Sequence, residues 1–165
     1  MNNSLTVVTI PNPILNCICT EIPTPELGKK IGRSMLESME KSGGVGLAAP
    51  QVGLRYKMFV ASESGKAVSG EVFISPKIIS VSGSLQIMEE GCLSIPNMLL
   101  PIARRQEIII SYLDQHGVDR QFKHVGMMAR IIQHEYDHLF GVLITDRHRE
   151  QNDWWSAVSL LSPIR

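Results

Sequence analysis

The sequence has 165 residues, of which 44% are hydrophobic and 19% are charged, as is typical of one globular domain that would span residues 1–165. Its 16 basic and 16 acidic side chains balance, which argues against nucleic acid or an anionic membrane as a partner, because both favour a basic surplus. No apolar run reaches membrane-spanning length, and the start of the sequence lacks the pattern of a secretory signal. We therefore expect a cytoplasmic protein.

The first predicted helix covers residues 25–42. Thr24 suits the N-cap and Pro25 suits the first helical position, while Gly43 can end the helix. Apolar side chains recur every four residues and give the helix one face for the core: Leu27, Ile31, Met35 and Met39.

Short strands are predicted in the middle of the chain, over residues 58–61, 72–74, 77–81, 85–88 and 106–113. Ser82 and Gly83 are predicted to form a tight turn between the third and fourth of these strands. Pro96 is expected to stop the strand before it. Residues 114–117 are predicted to turn the chain, so that residues 118–123 return antiparallel.

A second helix is predicted over residues 126–140, ended by Gly141, and a third over residues 152–161. Four side chains share one face of the second helix: Met127, Ile131, His134 and His138. The side chains expected to face inward on the third are Trp154, Val158 and Leu161. The order of helix, strands and helix favours an α+β fold, with mostly antiparallel sheets around a central helix that carries the sequence His-Glu-Tyr-Asp-His.

His134 and His138 are four residues apart, so on a helix both imidazoles leave the same face and could bind one metal ion. Glu135 points in an adjacent direction and could move a proton from a water molecule that the metal acidifies. The alternative is an accidental spacing on the surface of a helix. Because this face also carries apolar side chains, we expect it to be buried, and buried histidines need partners.

A catalytic metal usually has three protein ligands and one open position, and the spacing leaves the third ligand open. Ile144 stands where metzincin proteases have their third histidine. The downstream candidates follow the helix closely and are poorly placed: Asp146, His148 and Glu150. The upstream candidate is Cys92, which alone would be a core residue but with two imidazoles would suit Zn²⁺ or Fe²⁺.

The other cysteines, Cys17 and Cys19, would share one face of a strand. They could hold a metal ion together, but a cysteine is more often a small buried apolar residue. An odd total of three cysteines argues against a disulfide framework.

The segment over residues 43–53 is rich in glycine and alanine. It lacks the Gly-Lys-Ser/Thr ending and the preceding strand of a phosphate-binding loop. It is either a structural turn or a backbone that lies close to a ligand. In the second case the Gln51 amide could stabilise an oxyanion.

Three segments stand in a set order: GVGLAAPQ at residues 44–51, EGCLS at 90–94 and QHEYDHL at 133–139. Together they resemble the motifs of the peptide deformylase family, and the resemblance covers about residues 5–147. It implies an enzyme that removes the formyl group from the N-terminal formylmethionine of newly made polypeptides and releases formate. Such substrates come from the ribosome, and we expect a monomer without direct contacts to nucleic acid.

The resemblance also implies one divalent metal ion, typically Fe²⁺ with Zn²⁺, Ni²⁺ or Co²⁺ as alternatives, held by Cys92, His134 and His138. It assigns proton transfer to Glu135 and oxyanion stabilisation to the Gln51 amide and the Leu93 backbone N–H, together with the metal. The peptide is expected to lie like an added strand against the chain. The expected substrate contacts are Gly44, Val45, Gly46, Met88, Glu90, Gly91, Met127 and Ile131.

Four positions depart from the family pattern and put the substrate preference in doubt: Asn16, Ser75, Leu99 and Arg130. Leu99 stands where some bacterial members have an arginine near the substrate, and Arg130 stands at a usually apolar position. The role of the chain after Arg147 stays open. Two other hypotheses are a general metallopeptidase, which needs a downstream third ligand, and a non-catalytic member that binds peptide or metal.

Overall fold

The computed structural model describes residues 5–161, with side chains described as far as Trp154. The helices in this range are α1 (Pro25–Lys41), α2 (Gly126–His138) and α3 (Ile144–Leu161). The strands are β1 (Gly46–Ala48), β2 (Met58–Ala61), β3 (Glu71–Cys92), β4 (Ile95–Leu113) and β5 (Asp119–Val125). Within this range, none of the helices is long and apolar enough to cross a membrane.

The strands form one sheet in the order β1-β2-β3-β4-β5, and all neighbouring strands are antiparallel. Side chains alternate between the two faces of the sheet. Phe59 and Phe73 belong to the face that packs against α2, whereas Met58 and Val60 belong to the face that packs against α1. The sheet therefore lies between two helices, which confirms the predicted α+β class.

The first helix agrees with its prediction to within one residue. The Thr24 hydroxyl accepts a hydrogen bond from the Leu27 backbone N–H at 3.3 Å and so caps the first turn. Met35 and Met39 are fully buried, as their spacing predicts. Gly43 follows the helix with a φ of 71°, a left-handed conformation that glycine adopts without strain.

The predicted turn at Ser82 and Gly83 is wrong. β3 runs without interruption for 22 residues, and the chain on both sides of Gly83 pairs with β4. Gly83 has a φ of 78° and lies where the register shifts between Ser82 and Leu85, so its left-handed backbone forms a bulge and not a reversal.

The expectation that Pro96 stops a strand is also wrong. The chain reverses at Leu93 and Ser94, and β4 already begins at Ile95, so Pro96 is the second residue of the returning strand. A proline is tolerated there because it lies at a strand end, where a missing N–H costs little.

The turn over residues 114–117 is confirmed. The Asp114 carboxylate accepts hydrogen bonds from the backbone N–H groups of His116 at 2.8 Å and Val118 at 3.0 Å. β5 then returns antiparallel to β4, as predicted. The third helix begins at Ile144, earlier than predicted. The Asp146 carboxylate in its first turn accepts a hydrogen bond from the Leu143 backbone N–H at 3.0 Å, as in one half of a capping box.

The expectation that Trp154 faces inward on the third helix is wrong. Trp154 is more than half exposed, and the side chains of Val158 and Leu161 lie outside the described residues.

The start of α2 is capped from a distant part of the chain. Its N-cap residue is Val125, which has no side-chain oxygen. The carboxylate of Glu63, in the loop after β2, accepts a hydrogen bond from the Met128 backbone N–H at 2.8 Å. A negative charge at this end also interacts favourably with the helix dipole.

We predict that Gly32→Ala destabilises the protein. A Cβ atom at Gly32 would lie 2.6 Å from Cγ1 of the buried Val72 on β3. Overpacking costs about 1–3 kcal/mol, whereas alanine gains about 1 kcal/mol over glycine in a helix. We expect the free energy of unfolding, measured with urea, to fall by up to about 2 kcal/mol.

The exposed substitution Glu37→Ala on the same helix is the control, with an expected change within about 0.5 kcal/mol. Val72→Ala makes space for the new methyl group. Gly32→Ala should therefore reduce the free energy of unfolding less in a Val72→Ala background than in the unmodified protein. Equal costs in the two backgrounds would contradict the proposed overlap.

Candidate active site

The histidines of α2 meet the end of β3. Cys92 is the last residue of β3, and its Sγ lies 3.4 Å from Nε2 of His138. Cys92, His134 and His138 each offer one ligand atom, and these atoms all lie within 4.8 Å of one another. Among the described residues, no other group of three His, Cys, Asp or Glu side chains comes together in this way. The downstream alternatives for a third ligand are therefore not part of the cluster.

A buried carboxylate orients the first histidine. The Glu90 Oε2 atom lies 3.1 Å from Nδ1 of His134, which leaves Nε2 of the ring to face Cys92. Arg104 holds Glu90 through two hydrogen bonds, from Nε and Nη2, each of 3.0 Å. Burial raises the pKa of Glu90, but hydrogen bonds from His134 and Arg104 outweigh it and lower the pKa to about 2. Glu90 is therefore a charged acceptor that fixes the imidazole.

The two imidazoles have different environments. Burial lowers the pKa of His134, but hydrogen bonds with Cys92 and Glu90 raise it to about 10. Burial and the nearby charges of His134 and Arg104 hold the pKa of His138 well below its usual value. The His138 ring is therefore neutral, which is the form that binds a metal ion, whereas His134 would release a proton on binding one.

Charged pairs continue along α2 behind the histidines. Asp137 accepts a hydrogen bond from Nη1 of Arg104 at 2.6 Å, and Arg147 donates to both of its oxygens at 2.5 and 3.0 Å. This network was not predicted from the sequence. The available signal was Asp137 itself, a charged residue between two histidines on a helix face expected to be buried.

Gln51 has a fixed orientation. Its side-chain Oε1 accepts the Ala48 backbone N–H at 2.8 Å, so its Nε2 must point the other way. Nε2 lies 3.4 Å from the Cys92 sulfur and 3.3 Å from the Ser94 hydroxyl oxygen. The amide N–H₂ group is therefore aimed at the cluster, where an oxyanion donor is needed.

Glu135 lies directly against the glycine-rich segment. Its residue is 4% exposed, and Oε2 has no hydrogen-bond partner among the described residues. A Cβ atom at Gly46 would overlap the Glu135 carboxylate, so only glycine allows this approach. Burial raises the pKa of Glu135 to about 7, which lets the group gain or lose a proton near neutral pH.

These groups line one cavity of about 780 Å³. The expected substrate contacts all lie on its wall: Gly44, Val45, Gly46, Met88, Glu90, Gly91, Met127 and Ile131. Gln51, Leu93 and Glu135 line it as well, while His138 is buried behind it. The Glu90 side chain, however, points into the charged network. Residues 95–98 also line the cavity and were not predicted to do so, because a strand end and not a strand start was expected at Pro96.

The donor set has the chemistry of a transition-metal site. One thiolate and two imidazoles bind Zn²⁺ or Fe²⁺ well and disfavour Mg²⁺ and Ca²⁺. His138 has a neutral ring, and the orientation of the His134 ring is fixed by Glu90. Cys92, His134 and His138 therefore fit a metal ion.

The comparisons with known proteins all point to the same family. A family model described as polypeptide deformylase matches residues 4–154. Peptide deformylase 2 of Prochlorococcus marinus is 41% identical over 152 residues, which are 90% of this chain and 76% of that protein. The peptide deformylase of Borreliella burgdorferi is 40% identical over 146 residues, 88% of each chain. The chain belongs to the peptide deformylase family.

The fold comparison leads to the same family. The crystal structure of peptide deformylase from Thermotoga maritima has a TM-score of 0.81 and 34% identity, and covers 87% of this chain and 97% of that one. The protein is a peptide deformylase-type hydrolase that removes the N-formyl group from newly made polypeptides. Peptide deformylases depend on a metal ion, for which Cys92, His134 and His138 form a possible site.

The four departures from the deformylase pattern fall into two groups. Asn16 lies against the loop at Gly141, and Ser75 has a φ of 47° beside β2; neither is among the described residues that line the cavity. Leu99 and Arg130 do line it. Leu99 is exposed at its mouth, whereas Arg130 is buried and ion-paired with Glu90.

We predict that Gly46→Ala removes most deformylase activity without unfolding the protein. The new methyl group would displace the Glu135 carboxylate, so proton transfer should fail and kcat should fall by about 10²-fold or more. Thermal unfolding and metal content measure the side effects. Gly53→Ala, in the same segment, is the control for lost stability alone, because its φ of 79° strains an alanine while the space around it is open. Unchanged kcat in Gly46→Ala would contradict the close approach.

Proposed function

We propose that this deformylase works through one divalent metal ion held by Cys92, His134 and His138. The convergence of their three ligand atoms within 4.8 Å at the base of the cavity supports this proposal. Fe²⁺ is the ion that we expect, with Zn²⁺, Ni²⁺ or Co²⁺ as alternatives, because a thiolate and two imidazoles suit all of them.

A divalent ion at this site would acidify a water molecule and polarise the formyl carbonyl. Glu135 takes the proton from the attacking water and delivers it to the amine nitrogen as the formyl C–N bond breaks. Its burial and its pKa of about 7 support this role, because such a group both accepts and donates a proton near neutral pH. The products are formate and a free N-terminal methionine.

The oxyanion that develops on the formyl oxygen needs further donors. The Gln51 side-chain amide is aimed at Cys92, and the Leu93 backbone N–H follows directly in the turn between β3 and β4. We assign both as oxyanion donors, each of which typically contributes about 10²–10³ in rate.

The peptide lies extended between residues 44–46 and residues 90–91, with the methionine side chain among Met88, Met127 and Ile131. β3 supports this arrangement because it pairs with β2 only through residues 71–74, so its later edge can add a strand.

We also expect a cytoplasmic monomer that meets its substrates as they leave the ribosome.

The test of the reaction is Glu135→Gln. We expect the unmodified protein, purified without oxygen, to hydrolyse formyl-Met peptides but not acetyl-Met or unmodified peptides. Glu135→Gln should keep the metal, measured by elemental analysis, and lose activity by about 10²–10⁴-fold, since only proton transfer is removed.

Cleavage of unmodified peptides would favour a general metallopeptidase. Turnover of Glu135→Gln at the normal rate would refute its assigned role.

The test of the metal ligands is Cys92→Ser. A neutral hydroxyl is a weaker ligand than a thiolate for these ions, so metal should be lost faster to a chelator. Cys19→Ser is a matched control, because Cys19 is buried in the apolar cluster on the α2 side of the sheet. We expect Cys19→Ser to change stability but not the rate of metal loss from folded protein. Native metal affinity in Cys92→Ser would argue against Cys92 as a ligand.

A further inference from the structure

Arg130 lies on α2 one turn before His134 and lines the cavity, and its side chain is only 8% exposed. Its guanidinium donates three hydrogen bonds to two neighbouring strands. Nη1 donates to Glu90 Oε1 at 2.6 Å and to the Ile102 carbonyl at 3.0 Å, and Nη2 donates to the Gln86 carbonyl at 2.6 Å. One side chain thus joins the helix to both strands of the β3–β4 hairpin.

The three acceptors surround Met88. Gln86 and Glu90 lie two residues to either side of Met88 on β3, and Ile102 is the residue paired with Met88 on β4. Residues two apart on a strand share a face, so Met88 points toward α2 with the Glu90 side chain. Arg130 therefore holds the backbone around one wall of the cavity.

Apart from Arg130, and from Arg104 and His134 at Glu90, this wall has few supports. β3 pairs with β2 only through residues 71–74, so around Met88 it has β4 alone as a partner strand among the described residues. The Met88 residue is 39% exposed, so side-chain packing does not fix it firmly. Met127 and Ile131, on the same helix as Arg130, line the cavity too.

Of the two basic side chains, only an arginine could make all three of these hydrogen bonds. The planar fork of its guanidinium presents several N–H donors in fixed directions, whereas a lysine ammonium is one compact charge. A lysine could pair with Glu90 but could not also reach carbonyls on two strands. The Arg130 guanidinium forms an ion pair with the Glu90 carboxylate, so it does not place an unpaired positive charge in the cavity.

We propose that Arg130 is a positioning residue that sets the width of the cavity around the substrate's first side chain, by holding residues 86–90 against α2. The inference rests on the proposed function, since it takes this cavity as the site of the methionine side chain. It explains why a buried arginine occupies a position at which an apolar residue would line the cavity more simply.

The test compares Arg130→Met and Arg130→Lys with the unmodified enzyme, using formyl-Met, formyl-Leu and formyl-Phe peptides of otherwise identical sequence. We expect Arg130→Met to raise KM for the formyl-Met peptide and to reduce the preference for methionine by about ten-fold, with a smaller change in kcat. Amide hydrogen exchange in residues 86–90 should become about ten-fold faster, while exchange in β2 stays unchanged. Arg130→Lys should recover part of the KM but not the slow exchange.

Arg105→Met is the matched control. Arg105 is exposed and donates a hydrogen bond to the Gly83 carbonyl at 3.0 Å on the same hairpin, away from the cavity. We expect its KM, side-chain preference and exchange in residues 86–90 to stay within about two-fold of the unmodified enzyme.

Native preference and native exchange in folded Arg130→Met would overturn the proposal. If Arg130→Met does not fold, Arg130→Lys takes its place in the test. Native exchange in residues 86–90 of Arg130→Lys would then overturn the proposal equally. A failure of the proposed function gives a different result, since the unmodified enzyme itself would then not prefer formyl-Met peptides.

Discussion

The arrangement of the site depends on the hydrogen bonds that the Glu90 carboxylate accepts. Its two oxygens receive hydrogen bonds from Arg104 on β4 and from Arg130 and His134 on α2, while Glu90 itself belongs to β3. A buried charge that loses its partners costs several kcal/mol, so these three elements are held in one arrangement. Because Cys92 is two residues after Glu90, the same contact brings the sulfur to the histidines.

Different forces provide stability and geometry. Apolar side chains on both faces of the sheet supply most of the driving force for folding, whereas buried ion pairs contribute little net stability against well-packed apolar residues. Asp137 and Glu90 each meet two arginines, so the charges act mainly to fix directions. The glycine backbone at Gly46 then lets β1 approach α2 closely enough to bury Glu135.

Local patterns predicted those parts of the fold that local chemistry decides. The cap at Thr24 and the turn that Asp114 stabilises use side chains next to the backbone groups they bind, so the sequence shows both partners. The bulge at Gly83 could not be predicted in this way, because a left-handed glycine serves a turn or a bulge equally well. Pairing with β4 on both sides selects the bulge. The cap of α2 by Glu63 likewise comes from a distant loop.

The sequence by itself determined that His134 and His138 share one helix face, because the pitch of a helix follows from backbone geometry alone. It also carried the three motifs of the family. The residue spacing left several third ligands open and the motifs implied Cys92, but only the tertiary structure shows its ligand atom beside those of the histidines. The same holds for Arg130, which the sequence shows only as a departure. Its role arises where three chain segments meet, and proximity between distant segments depends on packing that no local pattern records.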